Sequence, residues 1–496
     1  MNLMKLNNYI KIIAVAILLS FGACKKDYLD TDPTDKVTAD DLFSTVEGAK
    51  VAINGIHAYM NQTPTVFGVE SHDDFGQKAT DIISDLMGED MVMQPPSYYG
   101  WFKLMYQYVD NRDAATGTSP LLTWNFYYTI INNANNIISR IDAIPGALAE
   151  KNNVKGQALA YRAFALFNLA TYYQHTYVGH EGDKGVILYL EPTTSLTVAK
   201  RRSTLRETYA QIVSDLKAAI PLLTSTQANK SNINVNVAKG IYARVALTMQ
   251  DWTTAATMAK EARAGYSLMT PAQYKGGFNN VNSNTEVMWG SVRSDDQLIK
   301  MSLICYFSHM DATSPGYAKL GMGKLISKKL YDLIPATDVR KEVFIAPGGT
   351  AYGLNTPYMQ VKFRVPTAGS FAGSNVMYMR AAEMYLIEAE AYAHGAPGDA
   401  AAALSALVQS RNPAFVPSAN ILDEVLLQRR IELWGEGFRY SDIQRLKIPL
   451  DRTGSNHDAG ITLKMSIPAE SNEFLFKIPQ AEFDANKSLT AADQNP

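Results

Sequence analysis

The chain has 496 residues, of which 46 are basic and 48 acidic, and its formal net charge at pH 7 is −2. No basic tract stands out, which argues against nucleic acid as a partner. The only cysteines are Cys24 and Cys305, so we expect neither a disulfide-stabilised core nor a thiolate metal cluster. A chain of this length can hold its core by packing alone.

The first residues have the layout of an export signal. A short basic stretch leads into the apolar run 12–19, which is too short to be a permanent membrane helix. Small residues directly precede Cys24, as in a lipobox, where the cysteine is acylated. We therefore expect residues 1–23 to be a lipoprotein signal peptide, Cys24 the lipid anchor and residues 24–36 a flexible tether. The alternative is an ordinary signal peptide with a cysteine placed there by chance.

Helical periodicity dominates the remainder of the chain. Thr38 and Asp41 form a capping-box pattern that predicts the start of a helix over 38–60, and Thr204 with Glu207 predicts another. Further helices are predicted over residues 121–141, 156–174, 237–250, 251–268, 377–395 and 399–411.

The last two helix pairs share one layout, in which a first helix with small residues is followed by a short turn and an alanine-rich second helix. Small residues let two helices approach closely, which is typical of tetratricopeptide hairpins. Gly-, Asn- and Pro-rich segments interrupt the pattern at 88–120 and 265–377, and such long loops usually bind ligands or cover a core. The sequence therefore predicts a mostly α-helical scaffold of about four such pairs, with long irregular insertions and little β-structure.

No catalytic template fits the chain. There is no G-x-S-x-G or H-E-x-x-H motif, and the glycine-rich segment 316–324 has its lysine at the wrong offset for a phosphate loop. The polar residues from His175 to Asp183 are better explained as a loop than as a metal site. We predict no catalytic residue, no cofactor and no metal. A glycosidase needs only two placed carboxylates, so a surface glycoside hydrolase stays open as an alternative.

The most highly charged segment is RRIELWGEGFRYSDIQRLK, residues 429–447. Its carboxylates Glu432, Glu436 and Asp442 could serve a hydrolase as acid and base, or they could pair with the neighbouring arginines. Because opposite charges alternate at helical spacing, the pattern favours ion pairs that join two helices.

Segments along almost the whole chain resemble the SusD/RagB family, the surface lipoproteins of glycan- and peptide-uptake systems in Gram-negative bacteria. The most specific are the E-L-x-G-E-G-F-R-x-x-D-x-x-R pattern at 432–445 and the tail that ends in Q-N-P. Lys487 departs from the family, whose tail usually has a proline there. The other segments are CKKDYLD, WNFYYTIINNANNII, GQALAYRAFALFNLATYY, RSTLRETYAQIVSDLKAAIPLL, AKGIYARVALTMQDWTTAATMAKEA and MRAAEMYLIEAEAYA. The resemblance implies a SusD-like α–α superhelix with an N-terminal region, 37–230, and a C-terminal region, 231–496, packed as one unit.

The resemblance also implies a function. The protein would be held in the outer membrane by its lipid, facing the cell exterior, and would capture oligosaccharide. It would deliver the ligand to a SusC-like TonB-dependent transporter without breaking a bond. Peptide capture of the RagB type is an alternative, and so is a helical adaptor that contacts no ligand.

Sugar sites stack aromatic rings on apolar sugar faces and hydrogen-bond the hydroxyl edges, so they need no cofactor. Aromatic and polar residues of the two irregular regions, and polar residues shortly before the first region, are the candidates. Trp101 could instead pin its loop to the core, and Trp289 lies in a strand-like segment that favours burial. The candidate ligand-binding residues are Asp73, Asp74, Gln77, Asp85, Asp90, Tyr98, Tyr99, Trp101, Arg293, Tyr306 and Tyr317.

Overall fold

The computed structural model describes residues 39–62, 71–95, 99–292, 303–371 and 373–496. The predicted signal peptide, the tether and Cys24 lie outside these residues. The longer helices are α1 (Val46–Tyr59), α2 (Gln77–Leu86), α3 (Thr118–Arg140), α4 (Leu148–Tyr173), α5 (Leu205–Ala219), α6 (Val235–Thr248), α7 (Trp252–Ala262), α8 (Ala381–Ala393), α9 (Ala400–Val408), α10 (Ile421–Glu432) and α11 (Arg439–Leu446). Shorter helices lie at Ala39–Leu42, Lys103–Tyr106, Pro271–Tyr274, Tyr306–Met310, Lys328–Leu333, Ala459–Thr462 and Gln480–Ala485.

The strands of the described residues form three small antiparallel sheets. Each sheet has two strands, and the partners within a sheet are distant in sequence except in the third. The pairs are β1 (Met91–Met93) with β3 (Lys324–Ile326), β2 (Val287–Ser291) with β4 (Val376–Arg380), and β5 (Leu450–Asp451) with β6 (Ser466–Ile467). The prediction of a mostly α-helical fold with little β-structure is confirmed.

Consecutive helices pack on one another as the hairpin pattern predicted. α3 packs on α4, α6 on α7 and α8 on α9, and α7 also contacts α8. The buried face of α7 consists of alanines. A side chain at Gly240 of α6 would collide with Met379 of β4 and crowd Met384 of α8. Small residues therefore set the close spacing of these helices.

Local capping chemistry explains where some helices begin. Thr204 and Glu207 form the predicted capping box at the start of α5. The helix predicted over 38–60 begins near its expected start, at Ala39, but it is not continuous. The chain turns after Leu42, and α1 begins at Val46 with Thr45 as its N-cap. The hydroxyl of Ser44 bonds to the carbonyl oxygen of Asp41 at this turn, and such local side-chain bonds compete with a continuous helix.

Trp289 lies in β2 and is almost wholly buried, as its strand-like surroundings predicted. Its ring packs edge-on against Phe164 of α4 with a centroid separation of 5.2 Å. The largest cluster of buried apolar residues contains side chains from both predicted regions, 37–230 and 231–496. The core therefore crosses the proposed boundary between them.

The carboxylates of residues 429–447 are buried in ion pairs. Glu432 accepts hydrogen bonds from Arg380 Nη1 at 3.0 Å and from Arg411 Nη2 at 3.2 Å. Burial alone would raise the pKa of Glu436, but Arg380 and Lys362 lower it to about 2. We call the surrounding group the buried charge cluster; its four cations and four anions are Arg340, Lys362, Arg380, Arg411, Glu286, Asp338, Glu432 and Glu436.

Asp442 makes a separate set of pairs between α10 and α11. Its carboxylate accepts from Arg429 Nε at 2.8 Å and from Arg445 Nε at 2.8 Å. Burial opposes ionisation, yet the two arginines lower the pKa of Asp442 to about 2. The carboxylates of this segment hold helices together, as the alternating charges indicated.

The tail is fixed to the helical scaffold by its amide side chains. Gln494 bonds both the N–H and the carbonyl oxygen of Ile478 at 2.8 Å. The Nδ2 of Asn495 donates to the carbonyl oxygens of Tyr173, at 2.8 Å, and Phe476, at 2.6 Å. These bonds give the Q-N-P pattern a physical role, because they satisfy backbone groups of buried residues at the end of α4 and in the segment 476–478.

Across the described ranges of the chain, none of the helices combines the length and the apolar character that crossing a bilayer requires.

Candidate functional site

An aromatic group lies where the two irregular regions meet. The rings of His72 and Trp101 are stacked, with centroids 4.8 Å apart and planes 6° from parallel. Tyr317 meets Trp101 edge-on at 6.2 Å and Tyr99 edge-on at 5.2 Å. The structure therefore brings together three of the residues that the sequence predicted, Tyr99, Trp101 and Tyr317, around a histidine that it did not.

Interior contacts hold this group in place. The hydroxyl of Tyr317 contacts Nδ1 of His72, and the ring of Tyr317 stacks on His309 at 4.9 Å. His309 is fully buried and donates from Nε2 to the carbonyl oxygen of His72 at 2.8 Å. Tyr317 and His309 thus form a buried support, while Tyr99 is 44% exposed and Trp101 is partly exposed.

A solvent-open cleft of about 290 Å³ lies beside Trp101. We call it the aromatic cleft; it is lined by Asp73, Gly100, Trp101, Phe102, Leu104, Met105, Asp110, Thr118 and Ser119. Its volume is close to the lower end of the range for small-molecule sites, about 300 to 1,000 Å³. Leu104 is 50% exposed at its edge, so the cleft offers apolar surface as well as rings.

Two carboxylates face the aromatic cleft and differ in their surroundings. Asp73 accepts a hydrogen bond from the hydroxyl of Ser71 at 2.6 Å, and burial raises its pKa. Asp110 accepts from the backbone N–H groups of Thr118, at 3.0 Å, and Ser119, at 2.8 Å, at the start of α3. Asp110 is therefore committed to the helix start, and Asp73 is the carboxylate that a ligand could engage.

The remaining predicted site residues lie in the interior. Tyr306 is buried and donates to the carbonyl oxygen of Gly435 at 2.7 Å. Asp74 is fully buried. Gln77 bonds Asp81 at 2.8 Å and Tyr127 at 3.1 Å within the packed helices.

Asp85 and Asp90 hold backbone and arginine groups in the scaffold. Asp85 accepts from the N–H groups of Gly437, at 2.9 Å, and Arg439, at 3.2 Å, while burial raises its pKa to about 7. Asp90 pairs with Arg430 at 2.6 Å. We leave both out of the candidate site because their oxygens are occupied by the protein itself. Tyr98 and Arg293, also predicted, lie outside the described residues.

The sequence reasoning missed His72, although it directly precedes the predicted Asp73. A histidine beside two aspartates gave no signal of a stacking partner, because the partner, Trp101, is 29 positions further on. Leu104 and the start of α3 were also missed, because they join the site only through contacts with residues distant in sequence. Within the part of the chain that the structure describes, no group of three or more His, Cys, Asp or Glu side chains is arranged to hold a metal ion.

Two family models match the chain. One is described as "Starch-binding associating with outer membrane" and covers residues 58–247, and the other is described as "SusD family" and covers residues 348–496. Together they span more than half of the sequence and agree on the family. The chain belongs to the SusD/RagB family.

Matches to relatives cover nearly the whole chain of this SusD/RagB family member. A SusD-like protein P2 from Formosa agariphila is 25% identical over 97% of this chain and 98% of its own length. A crystal structure of a SusD-like carbohydrate binding protein from Bacteroides vulgatus has a TM-score of 0.79 and 28% identity, and covers 91% of this chain and 98% of its own.

A more distant structure shares the SusD/RagB fold. It is a surface glycan-binding protein A from Bacteroides thetaiotaomicron in complex with laminarihexaose. Its TM-score is 0.67, its identity 17%, and the match covers 91% of this chain and 99% of that one. At this identity the likeness concerns the fold alone.

Proposed function

We propose that the protein is a cell-surface lipoprotein that captures oligosaccharide in the aromatic cleft and delivers it to a SusC-like TonB-dependent transporter. Cys24 would carry the lipid that anchors it in the outer membrane, facing the exterior. The observation that carries the proposal is the stacked His72–Trp101 pair, whose Trp101 ring lines an open cleft.

The chemistry of the cleft suits a sugar ring. An indole or phenol ring offers a flat face to the apolar C–H groups of a sugar, and a carboxylate such as that of Asp73 accepts hydrogen bonds from its hydroxyls. The histidine stack and the buried Tyr317 fix the orientation of Trp101 before a ligand arrives. A fixed ring loses little conformational freedom on binding, which favours affinity.

The same geometry supports binding without catalysis. Glycoside hydrolysis needs a pair of carboxylates, one of them able to deliver a proton. In the aromatic cleft Asp110 is engaged by two backbone N–H groups, which leaves Asp73 alone. Titratable groups elsewhere in the family's signature segment are buried in ion pairs.

Family relatives support the ligand class. The SusD-like protein of Bacteroides vulgatus is described as carbohydrate binding, and the distant glycan-binding protein was crystallised with laminarihexaose. We extend this ligand class, but no particular glycan, to the present chain.

Calorimetric titration of the purified protein with a panel of oligosaccharides, and in parallel with peptide mixtures, tests the proposal. Saturable binding of at least one glycan is expected, with no new reducing ends after prolonged incubation. Binding of peptides but of no glycan would replace the proposal with peptide capture, and released reducing ends would replace it with hydrolysis.

Co-purification from membranes tests delivery to a transporter. A TonB-dependent transporter is expected to co-purify with the protein, and its consistent absence would contradict the delivery part of the proposal.

A further inference from the structure

A second and larger cleft lies on another part of the described chain. It has a volume of about 630 Å³ and opens between α3, the irregular segment 189–199 and the short helix Gln480–Ala485. It shares no lining residue with the aromatic cleft. We call it the amide cleft, because asparagine side chains of α3, Asn125 and Asn132, lie between its aromatic rings.

Aromatic rings form one wall of the amide cleft. Trp124 and Tyr128 lie one helical turn apart on α3 with ring centroids separated by 4.7 Å, and Tyr189 meets Tyr128 edge-on at 6.4 Å. Tyr59 of α1 adds a partly exposed ring that stacks on Phe126. Tyr128 and Tyr189 are also partly exposed. Several rings of the wall are therefore accessible from the cleft, although each is also packed against the protein.

Hydrogen-bonding capacity remains free in this wall. Among the described residues, the Asn125 side chain has no hydrogen-bond partner, although it is partly buried on α3. By contrast, the side-chain Oδ1 of Asn132 accepts from the backbone N–H and the hydroxyl of Thr193, at 2.8 and 3.0 Å. Because Asn125 lines an open cleft, its amide is accessible to water and to a ligand. Asn125 can both donate to and accept from a ligand hydroxyl.

The charge of the amide cleft restricts the ligand. Among the described residues, Glu482 is the single charged residue in its lining. Lys200 lies outside the lining, with its Nζ 5.8 Å from the centroid of the Tyr189 ring. The carboxylate of Glu482 is engaged by the indole N–H of Trp124 at 3.2 Å and by Asn486 Nδ2 at 3.0 Å. Within the described lining, an anionic ligand would meet a carboxylate and no cation, so the cleft suits an uncharged one.

We propose that the amide cleft is a second saccharide-binding site, one that takes neutral oligosaccharides and rejects acidic ones. Exposed rings, an amide without a partner and the lack of a free charge combine the features that recognise uncharged sugar rings. The volume lies within the range of small-molecule sites, about 300 to 1,000 Å³. The inference rests on the proposed function, since it assumes the same class of ligand, but it uses different residues.

Filling the amide cleft tests the inference. Asn125→Trp places a bulky ring in the cleft, and Asn133→Trp, on the same helix but outside the lining, is the matched control. The purified full-length protein is titrated by calorimetry with neutral gluco-, manno-, xylo- and galacto-hexaoses and with an acidic hexa-galacturonate. We expect a neutral hexaose to bind the wild type at two sites and the Trp101→Ala variant at one. Asn125→Trp, combined with Trp101→Ala, should weaken the remaining binding at least about tenfold, and Asn133→Trp in the same background should have no effect.

The outcomes separate the two sites. If Trp101→Ala removes all neutral binding and Asn125→Trp changes nothing, the second site is refuted and the aromatic cleft stands. If Asn125→Trp alone removes binding, the second site stands and the aromatic cleft fails. Hexa-galacturonate that binds as tightly and is equally sensitive to Asn125→Trp would overturn the preference for neutral ligands, and binding of no hexaose would overturn both sites. Thr197→Trp, from the exposed loop opposite α3, replaces Asn125→Trp should the latter fail to fold.

Discussion

Substitution of Glu432 by glutamine removes one charge from the buried charge cluster and leaves the shape of the side chain unchanged. Both oxygens of Glu432 are shared: Oε1 accepts from Arg380 and Arg411, and Oε2 accepts from Arg340 and Arg411. In either orientation, the new N–H₂ group of glutamine would therefore face two guanidinium groups.

The size of the effect follows from the charge balance. Four cations and four anions face one another in the cluster, and Glu432→Gln leaves an uncompensated positive charge in a site where Arg340, Arg411 and Glu432 are all fully buried. Breaking a buried ion pair from one side costs about 3 to 5 kcal/mol. We expect Glu432→Gln to lower the free energy of unfolding by that amount.

Urea unfolding of the purified protein, followed by circular dichroism, measures this loss. Glu342→Gln is the matched control, because Glu342 pairs with Lys275 at 2.8 Å while both side chains are largely exposed, and such pairs contribute less than about 1 kcal/mol. If the two variants lost the same small amount of stability, Glu432 would not be holding buried cations in place, and the structural interpretation of residues 429–447 would be refuted.

Three further substitutions test the scaffold by urea unfolding. Burial lowers the pKa of Lys324 to about 7 from 10.5, so burying its charge destabilises the protein fully below pH 7 and not at all above pH 10.5. Lys324→Met should therefore stabilise the protein at pH 7 by on the order of 3 kcal/mol. An equal gain at pH 11 would contradict this. Gly435 has φ of 81° beside the Phe363 ring, so Gly435→Ala should cost about 2 kcal/mol or more; a neutral effect would show that the turn adapts. Asn495→Ala removes two hydrogen bonds to buried carbonyl groups and should cost about 1 to 3 kcal/mol, whereas an unchanged midpoint would mean that the tail contributes no stability.

The sequence was informative wherever the deciding contacts are local. The capping box of Thr204 and Glu207 lies within one helical turn, and the alternating charges of 429–447 lie on adjoining helices, so both could be predicted. The break between the short helix Ala39–Leu42 and α1 was missed, because the turn at Ser44 interrupts apolar spacing that predicts one continuous helix.

Most of the site could not be predicted, because it depends on contacts between distant segments. The exposure of Tyr99 agrees with a role in ligand binding. Tyr306 is instead buried, and its hydroxyl bonds to Gly435, which is 129 positions away in the chain. The sequence predicted Asp90 as a ligand-binding carboxylate, but in the structure it pairs with Arg430, which is 340 positions away in the chain. Aromatic residues in irregular segments thus indicated the right region of the molecule. They did not show which rings are exposed and which are buried supports.

The central claim is that a fixed aromatic surface at Trp101 binds sugar, and a titration in the Asn125→Trp background tests it most directly. There, glycan binding reports on the aromatic cleft alone. Trp252→Ala is the matched control, since Trp252 is also partly exposed and stacks on a histidine, His394, at 4.0 Å. We expect Trp101→Ala to weaken binding of a glycan at least about tenfold and Trp252→Ala to leave it unchanged. Equal affinities of the two variants would contradict the account.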